Sequence, residues 1–300
     1  MRVVVTGGTG FIGKNVVDQL LQAGIGPIVV TTRDPGRRDP WQGRVLFEQA
    51  YAGDALSLAK AMTHAEVVVH AIQFPNHPVE NPALGRTYLE VDGQGTEVAA
   101  QVARAMGVRR FVYVSGAGAG EGRPQRWFVA KDRAEKAIRE SGMEYAILRP
   151  SWVYGPGDRS MSKFEAFSRY LPFVPQIGDG KTPVYPVYVK DLARALADCV
   201  RREDAKDVVL NVGGPQRLTM DEVVLTLQKV IRRKRPIVHH PARLMKLLTW
   251  PLPFILSAPP MSPGAVDFVT QVVEMDPKPA MDWLGFKLRT LEEGLREYRH

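Results

Sequence analysis

The sequence is poor in cysteine, since Cys199 is the only one among 300 residues. A single cysteine excludes an intramolecular disulfide and a multi-cysteine zinc site. The six histidines show no metal-ligand spacing, so we predict no metal. This composition fits a reducing compartment, and we expect a cytoplasmic protein.

Long apolar runs are also missing, and no stretch reaches the length of a membrane-spanning helix without interruption. The most apolar segment, 244–261, contains Lys246 and four prolines, and we do not expect it to cross a bilayer. It fits the core of a lobe, an apolar substrate channel, or a peripheral contact with a membrane surface or a protein partner. The N-terminus leads directly into an apolar strand, so we expect no signal peptide.

Charge is unbalanced towards the basic side, with 40 Lys and Arg against 32 Asp and Glu, a formal net charge of +8. This charge favours anionic partners such as phosphates, nucleic acids or membrane surfaces. The basic run 232–235 has no interleaved aromatic residues, so we predict no nucleic-acid partner. A hydrophobic content of 45% indicates a folded globular chain.

Short apolar runs alternate with helical patterns through the first two-thirds of the chain. The runs are almost continuously apolar, which is typical of parallel strands buried on both faces. We predict an α/β fold, a doubly wound parallel sheet with a smaller, mainly helical C-terminal lobe. The nucleotide-binding domain should comprise 1–150 plus 187–212, and the substrate or partner lobe 151–186 plus 213–300. The predicted strands are Arg2–Thr6, Pro27–Thr32, Arg44–Gln49, Glu66–His70, Arg109–Ser115, Glu144–Leu148 and Asp207–Val212.

A glycine motif, Gly7-x-x-Gly10-x-x-Gly13, lies between the first strand and the first helix. Glycines at this spacing permit a tight turn and a close approach of a pyrophosphate to the backbone. The helix start, with Phe11 and Ile12, would direct amides at the anion. We therefore predict a dinucleotide site here; the alternative is a glycine-rich turn without a ligand.

The end of the second strand carries Arg33, where NAD-binding proteins place a carboxylate for the adenosine ribose. A guanidinium suits a 2′-phosphate, so we predict NADP rather than NAD as the cofactor. In the alternative reading Arg33 is a solvated loop charge, and Asp34 binds the ribose or simply starts a turn.

These motifs resemble the short-chain dehydrogenase/reductase superfamily of the extended or atypical kind, which includes NAD-dependent epimerases and dehydratases. Within it, the sequence is most similar to the group around the nucleotide-binding accessory subunit of respiratory complex I. The resemblance covers at least residues 1–212. It rests on the glycine motif and on the segments Gly53-Asp54, 67–71, 91–96, 111–115, 149–157 and 189–193.

The resemblance implies further nucleotide contacts. Asp54 would bind the adenine amino group, and Ala71 and Ile72 would line the nucleotide backbone. The residues implied to flank the nicotinamide are Pro150, Ser151 and Val153.

The superfamily transfers a proton with a Ser, a Tyr and a Lys, the last two spaced Tyr-x-x-x-Lys on one helix. Ser115 and Lys131 match this pattern, but Trp127 stands where the tyrosine is expected. An indole N–H donates a hydrogen bond but does not shuttle a proton near neutral pH. Asp92 likewise replaces the asparagine of the long helix.

This departure leaves several interpretations open. In the first interpretation, the chain is an NADP(H)-dependent oxidoreductase or epimerase-like enzyme that uses another acid, with Lys131, Tyr154 or a bound water as candidates. Alternatively, it is a non-catalytic nucleotide-binding accessory subunit or redox sensor, or the helix is misaligned. Lys131 could also be a solvated charge that pairs with Glu135 at i+4. Tyr113 lies inside its strand and is not expected to replace the missing tyrosine.

Overall fold

Thirteen strands are present in the computed structural model, which describes residues 1–34, 36, 38–256 and 259–299 and leaves aside the side chain of Phe254. Seven of them form one sheet. The strands are β1 (Val3–Thr6), β2 (Ile28–Thr32), β3 (Leu46–Gln49), β4 (Val67–His70), β5 (Arg110–Val114), β6 (Glu144–Pro150), β7 (Val153–Tyr154), β8 (Val174–Ile177), β9 (Pro183–Val184), β10 (Val187–Tyr188), β11 (Val208–Val212), β12 (Leu218–Thr219) and β13 (Ile237–His240).

The helices of the described residues follow the strands in alternation and then dominate the C-terminal part. A π-helical turn, Tyr88–Gln94, leads into the third helix, and short 3-10 turns lie at Pro82–Leu84 and Glu203–Ala205. The α-helices are α1 (Phe11–Gln22), α2 (Ala55–Ala61), α3 (Gly95–Ala105), α4 (Arg126–Glu140), α5 (Arg159–Tyr170), α6 (Val189–Arg201), α7 (Met220–Val230), α8 (Ala242–Thr249), α9 (Leu252–Ile255), α10 (Pro263–Thr270), α11 (Lys278–Leu284) and α12 (Leu291–Arg296). Capping boxes begin α7 and α12, as the Thr-x-x-Glu spacing at both places indicates.

The large sheet has the strand order β11-β6-β5-β4-β1-β2-β3, and β1 to β6 pair in parallel. The predicted doubly wound fold is confirmed. Each of the seven strands falls on its predicted run, with ends that differ by at most two residues. Chain order reverses between β1 and β4, and ligands of such sheets bind where the carboxyl ends of the two strands diverge.

The chain divides into two compact units. The first contains residues 1–74, 87–150 and 190–211, and thus the large sheet with α1 to α4 and nearly all of α6. The second contains residues 75–86, 151–189 and 212–300. The functions assigned to the two domains from the sequence stay predictions. Within the described residues, no helix has both the length and the apolarity needed to cross a bilayer.

Candidate nucleotide-binding site

The glycine motif forms a closed backbone turn after β1. Gly7 has a φ of +73°, and a Cβ there would lie 2.7 Å from the carbonyl oxygen of Ala71. A Cβ on Gly13 would collide with the carbonyl oxygen of Gly7. The turn is therefore restricted to glycine at both positions, and it lies at the β1/β4 switch point.

The N-terminus of α1 opens from this turn without a side-chain cap. Gly10 is the N-cap residue, and the first turn contains no acidic side chain. The amides of Phe11, Ile12 and Gly13 begin the helix, where backbone N–H groups carry a partial positive charge. A cradle that excludes Cβ atoms and ends in a helix start of this kind fits the pyrophosphate of a dinucleotide.

Arg33 follows β2 directly, and its side chain is exposed. The neighbouring Asp34 accepts a hydrogen bond from the Gly36 amide at 3.0 Å, which is the contact of a turn-forming aspartate. The position of Arg33 is compatible with a 2′-phosphate ligand, and the choice between NADP and NAD stays a prediction.

The other implied nucleotide contacts of the first unit lie around the same strand ends. The Ala71 amide donates to the Thr6 carbonyl at 3.0 Å, and Ile72 follows it beside Gly7. Asp54 is exposed and caps α2, where its carboxylate accepts from the Leu56 amide at 3.1 Å. A hydrogen bond from the Ser57 side chain is the main cause that lowers the pKa of Asp54.

Lys131 is buried, with 2% of its surface exposed. Its ammonium lies 3.2 Å from the Tyr113 hydroxyl and 3.4 Å from Asp92 Oδ1. The interpretation of Lys131 as a solvated charge paired with Glu135 is therefore wrong, because the side chain is buried against Tyr113 and Asp92 instead. Tyr113, which was not expected to replace the missing tyrosine, lies beside Lys131. The alternation of side chains along β5 is the signal that could have indicated this contact.

The pKa values of Asp92 and Lys131 are both raised, but for different reasons. Burial raises the pKa of Asp92 to about 6, although Lys131 opposes the rise. Burial also acts to lower the pKa of Lys131, but Tyr113 and Asp92 outweigh it and the net pKa is raised. Lys131 thus stays a cation with a carboxylate beside it.

Ser115 directly follows β5 and donates its hydroxyl proton to Glu135 Oε1 at 2.6 Å. Glu135 is itself held by Arg149, with an Nη2 to Oε2 distance of 2.6 Å, and by Arg139 at 2.8 Å. The Ser115 hydroxyl is therefore bonded to the buried carboxylate of an ion-pair cluster. From the sequence, Glu135 was considered only as a partner of Lys131, and Arg149 was given no contact; in the structure Glu135 on α4 binds Ser115 and Arg149 instead.

Trp127 lies on α4 one turn before Lys131, as its sequence position predicts. Its indole covers the backbone of Gly116, where a Cβ would collide with it. The indole meets the ring of Tyr88 edge to face at 5.4 Å, and the Lys131 ammonium lies 5.0 Å above it. The space beside Lys131 is thus filled by a ring that does not exchange a proton near neutral pH.

His70 ties the base of the site together. Its Nδ1 lies 2.7 Å from the Thr6 hydroxyl and its Nε2 lies 3.1 Å from the Thr96 hydroxyl. Burial lowers its pKa to about 3, so the ring is neutral at physiological pH. These contacts connect β1, β4 and α3 beneath the glycine turn, and they support a structural role.

The remaining predicted site residues divide between the two units. Pro150 ends β6 in the first unit and accepts a hydrogen bond from the Ala117 amide at 2.9 Å. In the second unit, Ser151 Oγ accepts from the Tyr185 amide, and Val153 pairs with Val187. The contacts implied for these residues with nicotinamide stay predictions.

Tyr154 is fully buried in the second unit. Its hydroxyl donates to the Thr290 carbonyl at 3.0 Å, and its ring packs against Gly294. Tyr154 therefore holds the start of α12, and the catalytic role predicted for it stays a prediction.

The doubly wound sheet and its glycine cradle define a dinucleotide-binding protein of the Rossmann type. The model of the NAD(P)H-binding family matches residues 7–203, and the chain belongs to that family. It is an atypical short-chain dehydrogenase/reductase close to a complex I subunit.

Three known proteins illustrate the likeness. The mitochondrial NADH dehydrogenase (ubiquinone) 1 alpha subcomplex subunit 9 of Arabidopsis thaliana is 28% identical over 85% of this chain and 64% of its own length. A ceramide reductase of Caulobacter vibrioides is 31% identical over 65% of this chain and 59% of its own length. The structure of MoeE5 in complex with UDP-glucuronic acid and NAD has a TM-score of 0.74 and 25% identity, and the match covers 98% of this chain and 96% of that one.

Proposed function

We propose that this chain binds NADP(H) as an accessory or sensor protein, without the Ser–Tyr–Lys proton transfer of the dehydrogenases it resembles. The observation that carries the proposal is the indole of Trp127, which covers Gly116 beside Lys131. When bound, NADP(H) would supply a hydride. Carbonyl reduction also needs a proton donor, and an indole is unsuited to that role.

The other two members of the usual set support this proposal. The Ser115 hydroxyl donates to Glu135, which an ion pair with Arg149 holds in place. The Lys131 ammonium faces the carboxylate of Asp92. A cation neutralised in this way lowers the pKa of a neighbouring acid far less than a free cation does.

The preference for NADP over NAD rests on Arg33. Its exposed side chain begins at the carboxyl end of β2, where a guanidinium can form charge-assisted bonds with a 2′-phosphate. Asp34, the carboxylate that could serve a ribose instead, is engaged with the Gly36 amide.

A protein partner is part of the proposal. The Arabidopsis relative is named as a subunit of an NADH dehydrogenase, and this chain spans 64% of its length. We infer that this chain also acts within a protein assembly, in the cytoplasm and at a membrane surface. Such a role needs a bound nucleotide but no turnover.

A reductase is the second candidate, and one contact favours it. The Tyr113 hydroxyl lies 3.2 Å from the Lys131 ammonium, so a Tyr–Lys pair is present, although its tyrosine comes from β5. The similarity to a named ceramide reductase agrees with such an activity on an apolar substrate. Against it, Tyr113 is fully buried, and burial raises the pKa of its hydroxyl.

Calorimetry with NAD⁺, NADH, NADP⁺ and NADPH tests the binding step. We expect NADPH to bind, and Arg33→Asp to raise its dissociation constant roughly tenfold or more while NADH binding changes little. The control is Arg104→Asp, an exposed arginine on α3. Equal loss for both nucleotides in Arg33→Asp would refute the assignment to a 2′-phosphate, and no binding of any form would refute the proposal.

Turnover separates the two candidates. NADPH absorbance that stays constant with carbonyl, quinone and nucleotide-sugar panels, under conditions of saturated binding, supports the accessory role. NADPH oxidation that Tyr113→Phe and Lys131→Ala both abolish supports the reductase and overturns the accessory role.

A further inference from the structure

Exposed apolar side chains are concentrated on one short segment of the second unit. Eighteen large hydrophobic residues are exposed in the described part of the chain, and six of them lie within residues 244–256. They include Leu247, Trp250 and Ile255, which are 71%, 63% and 73% exposed. We call residues 244–256 the apolar surface. Ser257 and Ala258, which continue the apolar segment identified in the sequence, lie outside the described residues.

Helix α8 has an inverted amphipathic pattern. Leu244, Leu247 and Leu248, spaced i, i+3 and i+4, form an exposed stripe. The opposite face contains the polar Thr249, which is buried and donates its hydroxyl proton to the Met245 carbonyl at 2.8 Å. In water a surface helix normally buries its leucines and exposes its threonine. Exposed leucines opposite a buried threonine suit a helix whose outer face is also removed from water by a binding partner.

The border of the leucine stripe identifies what covers it. Arg243 and Trp250, seven residues apart, project in nearly the same direction beside the stripe, and both are exposed. The only acid within residues 241–272 is Asp267, which is ion-paired with Lys246. An apolar stripe edged by an arginine and a tryptophan matches the acyl core and the anionic headgroups of a bilayer. A second copy of this surface would instead bring like charges together.

We propose that residues 244–256 bind the surface of an anionic bilayer, with α8 in the membrane plane and its leucines in the acyl boundary. The long side chain of Arg243 then reaches the headgroup phosphates, and Trp250 lies at the same depth. This contact is peripheral, because α8 has eight residues. It does not depend on nucleotide binding by the first unit.

Vesicle flotation of the full chain tests this proposal, with vesicles of phosphatidylcholine alone or mixed with phosphatidylglycerol. We expect binding to the anionic vesicles, and a loss of roughly a hundredfold in the partition coefficient for Leu247→Glu/Leu248→Glu. The matched control is Tyr170→Glu/Leu225→Glu, which changes two exposed apolar residues of the same unit that are 82% and 52% exposed. We expect this control to bind within about threefold of the wild type.

Tryptophan fluorescence gives a second readout. We expect a blue shift on anionic vesicles that Trp250→Phe abolishes, while the other four tryptophans remain. The proposal is overturned if the wild type does not bind vesicles, or if the leucine variant and its control bind equally. It is also overturned if the leucine variant loses only a concentration-dependent self-association, since the surface would then join two copies of the chain. NADPH calorimetry on the same variants reports the nucleotide site separately.

Discussion

Replacing Lys131 by methionine removes the ammonium beside Asp92 and keeps most of the side-chain volume. In the wild type, burial raises the pKa of Asp92 to about 6, and Lys131 opposes that rise. Without the ammonium the pKa of Asp92 rises further. We therefore expect the free energy of unfolding of Lys131→Met to keep falling with pH above 6, where the contribution of Asp92 in the wild type has become constant.

The sign and size follow from proton linkage. A carboxyl whose folded pKa exceeds its unfolded value of 3.8 binds its proton more tightly in the folded state, so stability falls as pH rises between the two values. In the wild type this interval ends near pH 6 and is equivalent to about 3 kcal/mol. In Lys131→Met the fall continues at up to about 1.4 kcal/mol per pH unit, or roughly 3 °C in melting temperature per unit.

The assay is urea unfolding of the nucleotide-free protein from about pH 6 to about pH 8. Lys136→Met, which removes an exposed lysine from the same helix, is the control and should follow the wild type. Asp92→Asn/Lys131→Met has no carboxyl to titrate, so its additional slope should vanish. Parallel profiles of Lys131→Met and the wild type over this range would refute the argument that the ammonium holds the pKa of Asp92 down.

Three further changes probe the cradle, the ion-pair cluster and a helix start. Gly13→Ala should weaken NADPH binding by about a hundredfold in calorimetry, because its Cβ would collide with the turn, whereas Gly264→Ala has open space and should leave binding unchanged. Glu135→Gln should lower the free energy of unfolding by roughly 3 kcal/mol, because two arginines lose their buried carboxylate. The control Glu140→Gln changes an exposed carboxylate and should cost little. Equal melting temperatures for Glu135→Gln and Glu140→Gln would contradict this prediction. Thr219→Ala should cost about 1 kcal/mol in urea unfolding through loss of the capping box of α7, and an unchanged midpoint would refute that role.

The large sheet could be predicted because its signal is local. Strands such as Val67–His70 are almost wholly apolar, which requires burial on both faces, and the structure buries all four residues of that strand. Strand ends depend on which neighbours supply hydrogen bonds, and β1 therefore begins at Val3 instead of Arg2. The glycine turn is local in the same sense, since three glycines between a strand and a helix specify its geometry.

The buried charges beside the turn could not be predicted in the same way. Lys131 and Glu135 are spaced i, i+4, which favours a mutual ion pair on an isolated helix. In the structure the two side chains do not pair with each other. Lys131 contacts Tyr113 of β5, and Glu135 accepts a hydrogen bond from Ser115, which follows β5. These contacts depend on how α4 is positioned against β5. The residue spacing within one helix or one strand carries no information about that position.

Trp127 and Asp92 stand where the superfamily has a tyrosine and an asparagine, and both contact the Lys131 ammonium. Trp127→Tyr returns a phenol to a place about 5 Å from the Lys131 ammonium, but Asp92 still neutralises that cation. At such a distance an uncompensated charge in a protein shifts a pKa by roughly two units. We therefore expect the introduced phenol to titrate one to two units lower, by order of magnitude, in Trp127→Tyr/Asp92→Asn than in Trp127→Tyr. Ultraviolet titration measures each phenol as a difference from the matching protein that keeps Trp127. The reference is the wild type for Trp127→Tyr and Asp92→Asn for the double variant. Equal phenol pKa values in the two variants would mean that Asp92 does not govern the charge that Lys131 presents to the site.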